Sequence, residues 1–216
     1  MLEKMGDFFD KRLSEYDNHQ MSCIDSAEKF YLFTARCLPA GAKSCILDLG
    51  CGTGLELERY FMLNLSAKVV GIDLAPKMLN ALKNKFEDKD LTLILGSYFD
   101  VEFESDAFDA VVSVESLHHF TKAEKIPLYH KIRNALKSNG YFILTDYFLL
   151  SDSDEEFQRK ELLRLKKLQG ISDSEFYHYD TPLTVQHETE ALLSAGFSKI
   201  DILNHWRATY TLKAEK

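Results

Sequence analysis

At 216 residues the chain suits one domain with an added cap, and its 45% hydrophobic content supports a sizeable core. A formal net charge of −8 disfavours a nucleic-acid substrate, because an acidic surface repels phosphate backbones. No stretch reaches the about 18 apolar residues of a membrane span, no signal-peptide pattern opens the sequence, and the four cysteines show no Cys-x-x-Cys pair, so the expectation is a cytoplasmic protein with reduced thiols and no membrane contact.

Residues 7–38 read as two helices. Phe8, Phe9, Leu13 and Tyr16 fall near one face of the first, opposite Asp10, Lys11 and Arg12. A break is expected around Asp17-Asn18-His19. Ile24, Ala27, Tyr31, Ala35 and Leu38 then recur at helical spacing until Pro39-Ala40-Gly41. Packing on a sheet edge is one reading of these helices; a lid over a bound ligand, with a role for Tyr16, is the other.

Cys45-Ile46-Leu47-Asp48-Leu49 is a short apolar run that reads as a buried strand. It leads into Gly50-Cys51-Gly52-Thr53-Gly54 and then a helix-forming stretch from Leu55 to Phe61. Strand, glycine turn and helix open a nucleotide-binding α/β unit. Glycine lets a ligand approach the backbone, and the amides of the helix start point toward it. The third glycine of the NAD pattern Gly-x-Gly-x-x-Gly would fall on Leu55, and the Gly-Lys-Ser/Thr of a P-loop is missing.

Ala67 to Asp73 is a second apolar strand ending in an acid about 20 residues beyond the turn, where a carboxylate can grip a ribose hydroxyl pair. Helix capping is the alternative use of Asp73, since Ala75-Pro76 opens a helix. Leu74 and Met78 are placed to touch a nucleoside, although core packing accounts for Met78 equally well. Leu91 to Leu95 is the third strand, followed by Gly96-Ser97-Tyr98-Phe99. Phe108 to Val114 is the fourth, and its C-terminal end, Glu115-Ser116-Leu117-His118-His119, falls at the ligand crevice of an open sheet. No metal is expected at the two histidines, because adjacent side chains diverge and no third ligand is evident.

Thr121 and Glu124 have capping-box spacing at the start of a helix reaching Lys137, although Pro127 could delay its regular part. Tyr141 to Leu144 is the fifth strand, with Asp146 and Tyr147 at its ligand-side end. Residues 151–180 look like an insertion: a helix with an acidic start and a basic end, stopped by Gly170, then Phe176-Tyr177-His178-Tyr179. These aromatics would either form a satellite core or line a pocket, and the pocket is preferred. Thr184 opens a last helix, and Phe197 to Asn204 with Trp206 to Lys213 read as an antiparallel pair.

Leu47-Asp48-Leu49-Gly50-Cys51-Gly52-Thr53-Gly54 resembles motif I of the class I S-adenosylmethionine (SAM)-dependent methyltransferases, and Phe108-Asp109-Ala110-Val111 with the following Leu117-His118-His119 resembles their motif IV. Tyr16-Asp17 and the Ala195-Gly196-Phe197 turn extend the similarity over nearly the whole chain. The resemblance implies an α/β, doubly wound, mainly parallel seven-stranded Rossmann-like sheet with the last strand antiparallel, plus N-terminal helices and a helical cap insertion. It divides a single methyltransferase domain into an N-terminal lid (1–40), a SAM-binding core (41–150), a cap (151–182) and a C-terminal helix and strand pair (183–216).

The implied cofactor is S-adenosyl-L-methionine, held by Asp48, Gly50, Cys51, Gly52, Gly54, Asp73, Leu74, Met78, Ser97, Tyr98, Val114 and Glu115. Ser97 departs from the family's usual acid at that place, which weakens the adenine contact. The implied reaction passes a methyl group to a small-molecule acceptor. His119, Asp146 and His178 are the candidate bases, Tyr16 completes the catalytic set, and a homodimer is compatible with this reading. Two alternatives stand beside it. One is a tRNA-modifying enzyme similar to the carboxy-SAM-dependent tRNA wobble-uridine methyltransferases, against which stands the absence of arginine in residues 188–193. The other is a SAM-binding module without turnover.

Overall fold

The computed structural model describes residues 1–172 and 175–216. Seven strands form one sheet in the order β3-β2-β1-β4-β5-β7-β6. They are β1 (Cys45–Leu49), β2 (Lys68–Asp73), β3 (Asp90–Leu95), β4 (Phe108–Val114), β5 (Leu136–Tyr147), β6 (Lys199–Trp206) and β7 (Thr209–Glu215). The first five pair in parallel, and β7 runs antiparallel to both its neighbours. The order reverses between β1 and β4, so the C-terminal ends of those strands open a crevice.

The helices are α1 (Met5–Cys23), α2 (Ala27–Cys37), α3 (Leu55–Leu63), α4 (Pro76–Lys85), α5 (Lys122–Ala135), α6 (Asp152–Gln169) and α7 (Val185–Ser194). Successive strand residues point to opposite faces. Ile46, Ala110, Val112 and Ile143 pack with Phe30, Leu57, Tyr60 and Leu82 of α2, α3 and α4. Leu47, Val111, Phe142 and Leu144 pack with Leu128, Tyr129, Ile132 and Leu192 of α5 and α7. With helices on both faces the central strands are apolar throughout, and each fully buried Leu, Ile or Phe contributes roughly 1.5–3 kcal/mol.

Two expectations about helices are corrected. α1 runs unbroken through Asp17-Asn18-His19, because Asp17 spends its carboxylate on the Thr53 hydroxyl and on Lys85 rather than on its own backbone. The chain breaks instead after Cys23, at Ser26 with φ 61°. α5 starts at Lys122, ahead of Pro127: the Glu124 carboxylate accepts from the Thr121 amide at 2.8 Å and fixes the start, leaving Pro127 to interrupt the helix ladder only locally.

α6 has no buried residue. Its cap follows the expected chemistry, with Ser151 Oγ accepting from the Asp154 amide at 3.2 Å and Gly170 at φ 62° ending it. Beyond it the chain returns across the crevice and joins the N-terminus: the Met5 amide donates to the Phe176 carbonyl at 3.0 Å, and the His178 amide to the Glu3 carbonyl at 2.9 Å. Among the described residues no helix is long and apolar enough to cross a membrane.

Candidate active site

The turn after β1 is drawn across the end of β2. The Gly50 and Cys51 amides both donate to the Ile72 carbonyl, at 2.9 and 3.3 Å. Gly50, Gly52 and Gly54 have φ of 73°, 48° and 74°, a region costly for other residues. A side chain at Gly50 would also stand 2.1 Å from Ser116 Oγ. Asp73 ties the turn to the next strand end. Its Oδ2 accepts from the Gly52 amide at 2.8 Å and its Oδ1 from the Ala75 amide at 2.8 Å, so it organises both the turn and the entry to α4. Burial nevertheless holds its carboxyl above the ordinary value against those amides.

These elements border a narrow cavity of about 50 Å³. Gly50, Gly52, Asp73, Leu74, Met78, Tyr98 and Glu115 face it, joined by Ser116, His119 and Phe120, and α1 closes it with Met5, Phe9 and Tyr16. The lid reading of the first helix therefore describes its position. Burial keeps the Tyr16 and Tyr98 hydroxyls protonated, well above the usual tyrosine range.

Five of the expected cofactor residues stand behind this wall rather than in it. Asp48 is buried beneath the turn against Glu56, and burial followed by the Glu56 charge pushes its carboxyl up. Cys51 points into the sheet, where a Cβ on Gly71 would come within 2.8 Å of its Sγ, which is why β2 carries glycine there. Gly54 packs under Leu82 and Phe86, and Val114 lies in the core. Ser97 turns its Oγ back to accept from the Phe99 amide at 3.1 Å. All five support the turn and the strand ends from outside the cavity. Phe99, next to Tyr98, stacks on Phe176 with ring centroids 5.3 Å apart.

A second cavity adjoins the first and shares Phe9, Tyr16, Glu115 and His119 with it. Arg12, Gln20, His118, Tyr147, His178 and Asp180 are among its other borders. Glu115, at φ 49°, is pushed up to about 8 by burial first and then by Asp146. His119 is pushed down to about 4 by burial first and then by His118, and burial also lowers His178. Both imidazoles are therefore neutral at pH 7. His178 is stacked on Phe8 at 3.5 Å between centroids.

Asp146 is a correction. It borders neither cavity and is only 2% exposed. Its Oδ2 accepts from the Leu117 and His118 amides at 2.9 and 3.0 Å; its Oδ1 accepts from the Tyr147 amide at 2.9 Å and meets His118 Nδ1 at 2.6 Å. It anchors the turn that presents the histidines and has no face left for an acceptor. The aromatic run after α6 also divides: His178 reaches the second cavity, Phe176 joins the packing around Phe99 and Phe120, and Tyr179 donates to Gln158 at 2.8 Å.

The premise against a metal is corrected as well. His118 and His119 lie in a 3₁₀ turn (Leu117–His119) with ring centroids 4.1 Å apart, and Asp180 supplies a third group from the far side of the cap. The sequence held no signal for it, since 60 residues separate it from the histidines. Met5 and Phe120 were likewise outside the expected residue set.

The parallel sheet reversing at β1 and β4, with a glycine turn and an acid-ended β2 around a cavity, defines a nucleotide-type cofactor fold of the Rossmann-like class. Residues 46–140 match the family model described as a methyltransferase domain. The carboxy-S-adenosyl-L-methionine synthase of Campylobacter concisus is 28% identical over 80% of this chain and 76% of its own length. That of Campylobacter fetus is 24% identical over 100% and 96%. Among solved structures, the DhpI complex with S-adenosylhomocysteine matches at TM-score 0.73 and 18% identity, covering 97% of this chain and 93% of that one. The cyclopropane synthase MmaA2 of Mycobacterium tuberculosis matches at 0.63 and 18%, covering 83% and 64%. The match of residues 46–140 to a methyltransferase domain, the part that carries the turn, Asp73 and Glu115, makes S-adenosyl-L-methionine the cofactor against which the site is tested.

The residues present fit that cofactor. A Cβ at Gly50 would fill its cradle, and a buried carboxylate oxygen, Glu115 Oε1, has no hydrogen-bond partner among the described residues while its side chain borders the cavity.

Proposed function

We propose that the enzyme methylates a small-molecule acceptor held in the second cavity, with the cofactor in the first. The observation that carries this reading is the shared wall of Phe9, Tyr16, Glu115 and His119, which puts the two spaces side by side under one lid. The cofactor supplies an electrophilic methyl group on a sulfonium.

On this reading Asp73, Leu74 and Met78 border the nucleoside end, and Glu115 and Ser116 border the reacting end. Transfer along one line makes positioning the main source of rate, and the lid residues Met5, Phe9 and Tyr16 supply it by closing the space and keeping water out. An acceptor with an ionisable proton loses it to a neutral imidazole facing the cavity, His119 or His178. The formal charge of −8 argues for a small acceptor over RNA.

A second reading comes from the relatives named carboxy-S-adenosyl-L-methionine synthase, which align over most of their own length. Under it the product is a carboxylated cofactor, and Arg12 at the edge of the second cavity is the cation that faces an anionic co-substrate. One incubation separates the readings: SAM with a small-molecule metabolite fraction, followed by mass spectrometry. S-adenosylhomocysteine with a methylated metabolite supports the first, and a carboxylated SAM supports the second. S-adenosylhomocysteine formed only when tRNA is added would overturn both.

A further inference from the structure

We propose that His118, His119 and Asp180 form a binding site for one divalent transition-metal ion at the wall of the second cavity. One ligand atom from each lies within 4.8 Å of the others. His119 Nδ1 stands 3.0 Å from Asp180 Oδ1, and His118 Nε2 stands 3.8 Å from the same oxygen. Ligands about 2.1 Å from a common ion and about 90–130° apart would be separated by about 3.0–3.8 Å.

Two independent features say that these atoms await a ligand. His119 is 7% exposed, and its Nδ1 is buried without a hydrogen-bond partner among the described residues. Asp180 Oδ1 is in the same condition, although the two atoms are close enough to bond. Their alignment does not serve an N–H···O bond. Leaving such groups unpaired is costly, and a cation bonded to both would remove the cost. The other feature is the support behind His118. Its Nδ1 is held at 2.6 Å by Asp146, a carboxylate itself fixed by three backbone amides, which leaves Nε2 as the ligand atom. A histidine oriented through its other nitrogen by a buried carboxylate is the usual supporting shell of a metal-bound imidazole.

Two imidazoles and one carboxylate suit zinc, iron(II), cobalt, nickel or manganese better than calcium or magnesium, which prefer all-oxygen sets. Three protein ligands leave coordination positions open, and here they open on the cavity assigned above to the acceptor. An oxygen of the acceptor bound there would lose its proton more readily. That last consequence rests on the proposed acceptor site; the metal site itself does not.

The test uses untagged full-length protein stripped with a chelator and titrated with cobalt(II), read by its visible absorption, with zinc(II) content measured by elemental analysis after dialysis. One ion per chain is expected, and His119→Ala and Asp180→Asn should each weaken binding at least about tenfold. Asp180 is half-exposed, so its asparagine variant is the one least at risk of misfolding. No saturable absorption change, or binding unaltered in both variants, overturns the proposal. Calorimetry with SAM on the same samples keeps the outcomes apart: metal bound without SAM refutes only the cofactor reading, and SAM bound without metal refutes only this site.

Discussion

Gly50→Ala is the sharpest perturbation of the cofactor turn. At φ 73° an alanine costs about 1–2 kcal/mol in backbone energy alone. The new Cβ would also lie 2.1 Å from Ser116 Oγ and 2.7 Å from Ser116 Cβ, so Ser116 or the turn must move. Either movement breaks the 3.2 Å contact between Ser116 and the Tyr98 hydroxyl, a further roughly 0.5–1.5 kcal/mol. Together these give a loss of about 1.5–3.5 kcal/mol in urea-unfolding free energy. Because Gly50, Ser116 and Tyr98 all border the first cavity, SAM affinity measured by calorimetry should fall at least about tenfold, equivalent to about 1.4 kcal/mol. Adding Ser116→Gly removes the clash but not the backbone cost, so the double variant should regain affinity while staying less stable than the parent. A single variant that unfolds and binds SAM like the parent would refute the reasoning, as would a double variant no better than the single.

Asp73→Ala leaves the Gly52 and Ala75 amides without their shared acceptor, and a loss of about 1–3 kcal/mol in unfolding free energy is expected together with loss of SAM binding; retention of both would contradict its role. Glu115, at about 8 when folded against an ordinary 4.5, holds a proton that the unfolded chain has released between those values. Its contribution therefore declines as pH rises through that window, at up to about 1.4 kcal/mol per pH unit. Glu115→Gln should flatten that decline in denaturation curves taken from pH 5 to pH 8, and parallel curves for the two proteins would exclude the assignment. Cys51 is buried with its thiol pushed up by burial, whereas Cys23 is exposed. Alkylation followed by peptide mass spectrometry should label Cys23 first and Cys51 only on unfolding; equal rates would mean that the turn opens freely.

The parts of the site legible in the sequence are those that local chemistry imposes. A positive φ demands glycine at Gly50 and Gly52, and a strand ending in an acid announces Asp73, so turn and carboxylate could be paired across 21 residues before any fold was known. A mainly parallel, doubly wound sheet was legible in the alternation of apolar strands with helices, whereas its strand order was not. Which side of a strand end a residue faces was not legible. Ser97, Cys51 and Val114 sit in the expected motifs yet turn away, because a neighbouring amide, the gap beside Gly71 and the α2–α4 core claim them. Asp146 looked like a base because it ends a strand, but three amides and a histidine consume it. Asp180 left no trace in the sequence, since its meeting with His118 and His119 depends on the cap returning over the crevice and pairing with residues 3–5.

The most direct test of the account is a calorimetric titration of SAM into the unmodified chain. One saturable site per chain, with affinity near the micromolar range and abolished by Gly52→Val, is the predicted result. The absence of saturable heat, or an undiminished site in the Gly52→Val protein, would contradict the claim that this turn and Asp73 seat the cofactor.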